Sequence, residues 1–203
     1  MDTLKRLQRQ MRRVKLKMML GGGNLSADRV EQIVDTIMEW ALSDQAAGAR
    51  KDLLLFSFET SFEEISDEIA QLADRGDAEA YRDVYEKLYG FACETMEDSY
   101  MPLYLFILYR YANALLTTGD TGSAVHYFEK LLEGTERLIG TENSYGIHCL
   151  ERLAEAAAAD GQMEKASEAL EKMSRIASEE FGEESAMSMA VGRISRRLRP
   201  AGG

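Results

Sequence analysis

Residues 150–173 read LERLAEAAAADGQMEKASEALEKM, and residues 108–131 read LYRYANALLTTGDTGSAVHYFEKL. When the two stretches are aligned at a spacing of 42, eight positions hold an apolar residue, a small residue or glycine in both copies. An internal repeat of this kind decides the fold before any other feature does. The alignment pairs Leu108, Tyr111, Ala112, Leu115, Gly119, Ala124, Phe128 and Leu131 with Leu150, Leu153, Ala154, Ala157, Gly161, Ala166, Leu170 and Met173.

The spacing within each copy predicts two helices joined by a turn. Counted from the first leucine, positions 0, 3, 4 and 7 line one face of a helix, and positions 16, 20 and 23 line one face of the next. The glycine at position 11 suits the left-handed backbone that ends many helices. Such a pair cannot bury its apolar stripe alone and must stack on its neighbours. The sequence therefore predicts an all-α solenoid of antiparallel helix pairs, with helices near 2–19, 27–42, 45–59, 62–75, 77–95, 101–118, 121–138, 143–160, 163–180 and 184–198.

A weaker copy of the repeat precedes the two clear ones. It follows the same offsets at a spacing of 43, through Ile65, Ile69, Leu72, Gly76, Tyr81, Tyr85 and Leu88. A fourth unit could open with Val30, Ile33, Val34 and Ile37, although the turn glycine is missing there. The predicted organisation is a basic amphipathic helix at 1–20, a Gly-rich hinge at 21–26, a degenerate helical pair at 27–60, repeats at 61–182 (weak over 61–100, clear over 101–142 and 143–182), and a capping helix with a basic tail at 183–203.

The motif Leu150-x-x-Leu153-Ala154-x6-Gly161-x4-Ala166 and its copy 42 residues earlier resemble the tetratricopeptide repeat (TPR). The standard TPR has about 34 residues. The longer period, with an apolar residue and glycine near its end at 139–140 and 181–182, is similar to the repeats of kinesin light chains. The helix-closing proline and the aromatic residue at offset 7 of the standard repeat are absent. The resemblance implies a scaffold or adaptor that binds a protein or peptide and performs no catalysis.

The composition is that of a soluble globular protein, with 45% hydrophobic and 29% charged residues. The longest apolar run, from Met101 to Tyr109, is too short for a transmembrane helix, which needs about 20 residues. The first 20 residues lack the small-residue cleavage site of a secretory signal. Cys93 and Cys149 lack CxxC spacing, so we expect no disulfide framework and a cytoplasmic location.

The net charge of −11 is distributed unevenly along the chain. Residues 1–20 carry seven Lys or Arg and one acid, and residues 190–203 carry four Arg and no acid, so the acidic excess lies between them. Within the basic N-terminal helix, an apolar seam has the spacing of a narrow helical stripe. The seam consists of Leu4, Leu7, Met11, Val14 and Met18.

This basic helix leaves several interpretations open. Residues 2–19 could dock in an acidic groove of the same molecule or of a second copy, which would be self-association. They could instead lie on an anionic membrane, contact nucleic-acid phosphates, target an organelle, or remain a solvated arm. The acidic body, without aromatic residues interleaved among its basic ones, disfavours nucleic acid as the partner of the whole chain.

Sequence motifs for catalysis and cofactor binding are absent. The chain holds no P-loop, GxGxxG, GxSxG or HExxH motif. His148 and Cys149 are adjacent, so on a helix they point about 100° apart and cannot chelate a metal well. We therefore expect no cofactor, no metal and no enzymatic activity. A non-catalytic regulatory subunit of an enzyme remains as an alternative to the adaptor.

The resemblance to TPR proteins implies that the ligand-facing positions lie on the first helix of each pair. They fall two residues before offset 0 and one, five, eight and nine residues after it. In the clear repeats they are Phe106, Tyr109, Asn113, Leu116 and Thr117, followed by His148, Glu151, Glu155, Ala158 and Ala159. In the weak repeat they are Glu63, Ser66, Ala70, Ala73 and Asp74.

The groove outlined by these ligand-facing positions has an aromatic centre and acidic flanks. Phe106 and Tyr109 would anchor an apolar stripe, while Glu151 and Glu155 would attract basic side chains. We therefore predict a basic, amphipathic protein or peptide as the partner. The alternative is that residues 101–116 are apolar because they form a buried central helix. Some TPR domains clamp a C-terminal carboxylate with Lys, Arg and Asn, and here only Asn113 fits that pattern.

Overall fold

The computed structural model describes residues 11–12, 15–21, 25–46, 51–96 and 101–198, except for the side chains of residues 44–46, 51–57, 59, 60 and 63. Within these ranges the chain is helical and contains no strand. None of the described helices is long and apolar enough to cross a membrane. The helices are α1 (15–20), α2 (Ala27–Ala46), α3 (Lys51–Asp74), α4 (Ala78–Thr95), α5 (Met101–Thr117), α6 (Thr121–Ile139), α7 (Ser144–Ala159), α8 (Met163–Phe181) and α9 (Ala186–Leu198).

The chain divides into two compact units, Met1–Leu103 and Tyr104–Gly203. In the N-terminal unit, α2 packs on both α3 and α4, and α3 packs on α4. In the C-terminal unit, α7 packs on α6 and α8, and α9 packs on α8 and α7. The predicted all-α class, built from successive helix pairs, is confirmed.

The predicted turn glycines end the first helix of each pair. Gly76, Gly119 and Gly161 have φ values of 87°, 84° and 78°, which glycine adopts without steric cost. The residue after each glycine donates its backbone N–H to the carbonyl five residues earlier, at 2.8 to 3.0 Å. This is the Schellman arrangement, which satisfies carbonyls left unpaired at a helix end. The three turns are therefore one structural device repeated.

The apolar repeat positions form the core of each unit. The fourteen non-glycine positions of the two clear repeats are at most 7% exposed. The weak copy is buried just as deeply, with Ile65, Ile69 and Leu72 at 0%. Aromatic rings join the helices of a pair, since Tyr109 and Phe128 lie 6.5 Å apart and Phe58 and Phe91 lie 5.0 Å apart. The predicted core is confirmed in the weak copy as well as in the clear ones.

The organisation predicted for residues 27–60 is wrong. We expected separate helices near 45–59 and 62–75, but α3 runs without interruption from Lys51 to Asp74. Residues 27–60 therefore hold one complete helix and the first part of another, instead of a helical pair. The physical reason is that no glycine or proline lies between residues 51 and 74, and Thr60-Ser61 lowers helix propensity without breaking a helix.

The basic N-terminal helix lies against α2. The Arg12 guanidinium and the Lys15 ammonium lie 5.5 and 5.6 Å from the centre of the Trp40 ring. Leu16, the residue after Lys15, is 1% exposed, whereas Met11 and Met18 of the predicted seam are 65% and 76% exposed. The two described seam residues are therefore not the ones that this helix buries. Seam positions 4, 7 and 14 and hinge positions 22–24 lie outside the described residues.

Candidate functional site

Two predicted groove residues on successive first helices are in direct contact. The Tyr109 hydroxyl on α5 lies 2.8 Å from Nε2 of His148 on α7, and the two rings are 5.5 Å apart. On its other side, Nδ1 of His148 lies 3.6 Å from a carboxylate oxygen of Glu151. Tyr109 is half-buried and the His148 side chain is 52% exposed. The spacing of 42 therefore brings together residues that are 39 positions apart.

A second link joins α5 to α7 deeper in the same face. Asn113 is 9% exposed, and its side-chain nitrogen donates to the Tyr109 carbonyl. Its side-chain oxygen accepts from Nε of Arg152 at 2.7 Å and also from Nη2. The same guanidinium donates through Nη1 to Glu155, one turn further along α7. Arg152 is 27% exposed and Glu155 is 20% exposed, so this network is largely shielded from water.

The terminal helix α9 completes the network. Nη2 of Arg197 donates to Oε1 of Glu155 at 2.6 Å and lies 3.6 Å from Oε1 of Glu151. Arg197 is 60% exposed, whereas the two carboxylates are 22% and 20% exposed. Glu151 and Glu155 are therefore each beside at least one arginine, and the charge at this end of the face is balanced. We name Tyr109, Asn113, His148, Glu151, Arg152, Glu155 and Arg197 the first-helix network.

The aromatic end of the face lies on α5. Phe106 is 39% exposed, and the Arg110 guanidinium lies 5.2 Å from its ring centre. Leu116 is half-buried, and the exposed Thr117 donates its hydroxyl to the Asn113 carbonyl at 2.9 Å. Most other side chains of α5 are buried. The predicted groove residues of α5 other than Asn113 are thus partly exposed, while most of the rest of the helix is buried.

The positions predicted from the weak repeat lie on α3, in the N-terminal unit. Ser66, Ala70 and Ala73 are half-buried, and Asp74 is exposed at the end of the helix. The side chain of Glu63 lies outside the described residues. In the clear repeat, Ala158 is half-buried and Ala159 is exposed at the end of α7.

A known structure is similar to this chain in fold. A crystal structure from Podosopora anserina is described as a kinesin light chain with nearly identical TPR-like repeats. The superposition covers 95% of this chain and 84% of that chain, with a TM-score of 0.62 and 18% sequence identity. The chain has the TPR-like repeat fold. No protein-family model matches the sequence, and no curated protein matches it significantly.

The first-helix network contains two arginines, Arg152 and Arg197, that are not among the predicted groove residues. Arg152 lies at offset 2, next to the ligand-facing positions, and Arg110 holds the same offset in the preceding repeat. Arg197 lies 42 residues after Glu155, so the repeat spacing gives it the corresponding position on α9. The capping helix predicted within residues 183–203 therefore carries a repeat position as well.

A metal centre or a reactive thiol would be the sign of chemistry in the described part of the TPR-like array. No three His, Cys, Asp or Glu side chains among the described residues converge as metal ligands. Burial raises the pKa of the Cys149 thiol, and the Thr135 hydroxyl 3.8 Å away only partly opposes this. A thiol with a raised pKa stays protonated at neutral pH and is a poor nucleophile. The site offers hydrogen bonds, aromatic surface and charge, which are means of recognition.

Proposed function

We propose that this protein is a non-catalytic TPR-like scaffold that binds a protein or peptide on the first-helix face of its C-terminal unit. The observation that carries the proposal is a continuous row of partly exposed side chains from α5 to α7. It begins at Phe106 and passes through Tyr109 and His148 to Glu151. Aromatic rings anchored by hydrogen bonds supply contact area with little loss of conformational entropy, which is typical of binding hot spots.

We further propose that the partner is basic and amphipathic. An apolar side chain would pack on Phe106 and Tyr109, and a basic side chain would reach Glu151 and Glu155 in the next helix. These carboxylates are about one-fifth exposed, so they remain reachable from solvent while the surrounding protein lowers the local dielectric. The cost is that a basic ligand must compete with the arginines already beside them.

A peptide-display selection tests this proposal. Random peptides are selected on the wild-type protein, and the enriched ones are measured against Tyr109→Ala/Glu151→Lys. We expect enrichment of aromatic or aliphatic residues next to Arg or Lys, and at least a tenfold loss of affinity in the double variant. Glu136→Lys is the matched control, because Glu136 is an exposed acid on the second helix α6. Equal binding by all three proteins would contradict the proposal.

The chain's own basic N-terminal segment is the first candidate ligand. Deleting residues 1–20 would uncover the surface that Leu16 covers, so a synthetic peptide of residues 1–20 is the cleaner probe. Binding to the wild-type protein that is lost in the double variant would support docking of this helix in the groove of a second copy. Binding to anionic liposomes or DNA, with no binding to the protein, would favour a tethering role instead.

A further inference from the structure

Arg197 occupies a position that a ligand side chain would need. Its guanidinium lies 2.6 Å from one oxygen of Glu155 and 3.6 Å from one oxygen of Glu151. The two carboxylates come from successive turns of α7 and meet at this one group. Both contacts are made by the same nitrogen, Nη2, which donates to Glu155 and lies within ion-pair distance of Glu151. The position between the two carboxylates is thus occupied by an arginine of the chain itself.

The two arginines of this network differ in how firmly they are held. Arg152 is 27% exposed and is fixed by the buried Asn113 as well as by Glu155. Arg197 is 60% exposed and lies in the last turn of the last described helix. Exposed ion pairs are weak and screened by salt, and helix ends open more readily than helix centres. Arg152 therefore belongs to the framework, whereas Arg197 can leave.

We infer that Arg197 is an internal substitute for an arginine of the partner. In the free protein α9 covers the Glu151–Glu155 carboxylates, and a ligand that carries an arginine next to an apolar residue displaces it. This inference rests on the proposed function, because it specifies which group of a basic partner is recognised and what regulates access. The apparent affinity of the ligand is reduced by the fraction of molecules in which Arg197 is in place.

The test compares Arg197→Gln with Arg196→Gln. Arg196 is the neighbouring exposed residue on α9, and its Nε donates to the Gly192 carbonyl of its own helix. Both variants remove one positive charge from the same turn, but only Arg197→Gln removes the group that lies beside Oε1 of both Glu151 and Glu155. The probes are the 1–20 peptide and a version in which its four arginines are lysines, both titrated by calorimetry into the full-length protein.

We expect Arg197→Gln to raise the affinity for the arginine peptide about three- to tenfold, and Arg196→Gln to raise it less than twofold. The lysine peptide should gain less than the arginine peptide. Arg197→Lys, which keeps the charge on a different head group, should fall between wild type and Arg197→Gln. Thermal melting of each variant checks that the fold is kept.

The contrary outcomes separate the two proposals. If wild type and Arg197→Gln bind the arginine peptide equally, or if both glutamine variants gain equally, the inference is overturned while the proposed function stands. If Arg197→Gln binds more weakly than wild type, Arg197 contacts the ligand and is not a substitute for it. If neither probe binds wild type or any variant, both the inference and the choice of a basic partner are overturned.

Discussion

The two units of this protein bury their repeat positions equally well, but they join their helices through different polar contacts. In the C-terminal unit, Asn113, Arg152, Glu155 and Arg197 link the first helices α5, α7 and α9. In the N-terminal unit, Lys87 on α4 bonds to Glu31 and Asp35 on α2. The apolar core is thus kept where the repeat sequence drifts, whereas the polar contacts between helices involve different residues in the two units. That comparison can be tested at positions that correspond between units.

The largest effect is expected in the core. Leu72 and Leu115 hold the same repeat offset and are 0% and 3% exposed. Changing either to alanine should lower the free energy of unfolding by about 2–5 kcal/mol, because a cavity adds to the lost apolar burial. Urea denaturation measures both, and Leu138→Ala, at a position that is 43% exposed, is the control with a small expected loss. A much smaller loss for Leu72→Ala would show that the weak repeat is also weakly packed.

The equal burial of Leu72 and Leu115 also shows what could be predicted from sequence. From the weak repeat onward, the helix pairs, their turn glycines and their core positions follow from local spacing and were predicted. The uninterrupted helix from Lys51 to Asp74 was not, because Thr60-Ser61 in the middle of α3 resembles a helix boundary. Whether a Thr-Ser dipeptide starts a helix or lies inside one depends on the packing of the residues around it.

The candidate site was predictable only in part. The repeat spacing predicts that Tyr109 lies near His148 and that Asn113 and Glu155 hold equivalent positions on successive first helices. It does not predict that one oxygen of Glu155 accepts from Arg152 and the other from Arg197. Those contacts depend on rotamers of long side chains. Gly146 is a similar case: a Cβ there would lie 1.9 Å from the Thr141 carbonyl oxygen, although its repeat counterparts are Tyr104 and Ser188. Close approaches of this kind leave no periodic signal.

A smaller effect is expected from one lysine in each unit that joins two helices, Lys87 between α4 and α2 and Lys165 between α8 and α6. Lys87 lies 2.7 Å from Glu31 and 2.9 Å from Asp35, whereas Lys165 in the C-terminal unit lies 2.6 Å from Glu129 alone. Both lysines are 33% exposed. Lys87→Met should lower the free energy of unfolding by about 1 kcal/mol and Lys165→Met by about half of that, with both losses reduced in 1 M NaCl.

The pH dependence of the Lys87 variant gives a second measurement of the same contact. Burial acts to lower the pKa of Lys87, but the hydrogen bonds to Glu31 and Asp35 outweigh it and raise the pKa above the ordinary 10.5. A raised lysine pKa contributes stability that is fully present at neutral pH and is lost as pH rises through the folded-state pKa. The difference between wild type and Lys87→Met should therefore be constant near pH 7 and shrink above about pH 10.5. A difference that grows at high pH would contradict this assignment.

The smallest effect is expected at the turn between the two helices of a pair. There the residue before the turn glycine differs between the units. The residue before the turn glycine is Asp160 after α7 in the C-terminal unit and Arg75 after α3 in the N-terminal unit, where Arg75 donates to the Gln71 carbonyl of α3. Asp160 instead accepts from Gln162 at 2.7 Å and from the Thr121 hydroxyl of α6 at 2.6 Å. These two hydrogen bonds, in that order of importance, lower the pKa of Asp160 below its ordinary 3.8.

A carboxylate whose pKa is lowered by folding contributes stability that is present above its unfolded pKa and is lost as pH falls through the folded one. An NMR titration of the Asp160 side-chain carboxyl should therefore give a midpoint below 3.8 in the wild-type protein. Thr121→Val should move that midpoint upward, because the valine keeps the shape of the side chain and removes the donor. Thr118→Val is the matched control, since the Thr118 hydroxyl bonds only to carbonyls of its own helix, at Ala114 and Leu115. If the midpoint were the same in both variants, the turn would not be tied to α6, and the two units would differ here in sequence alone.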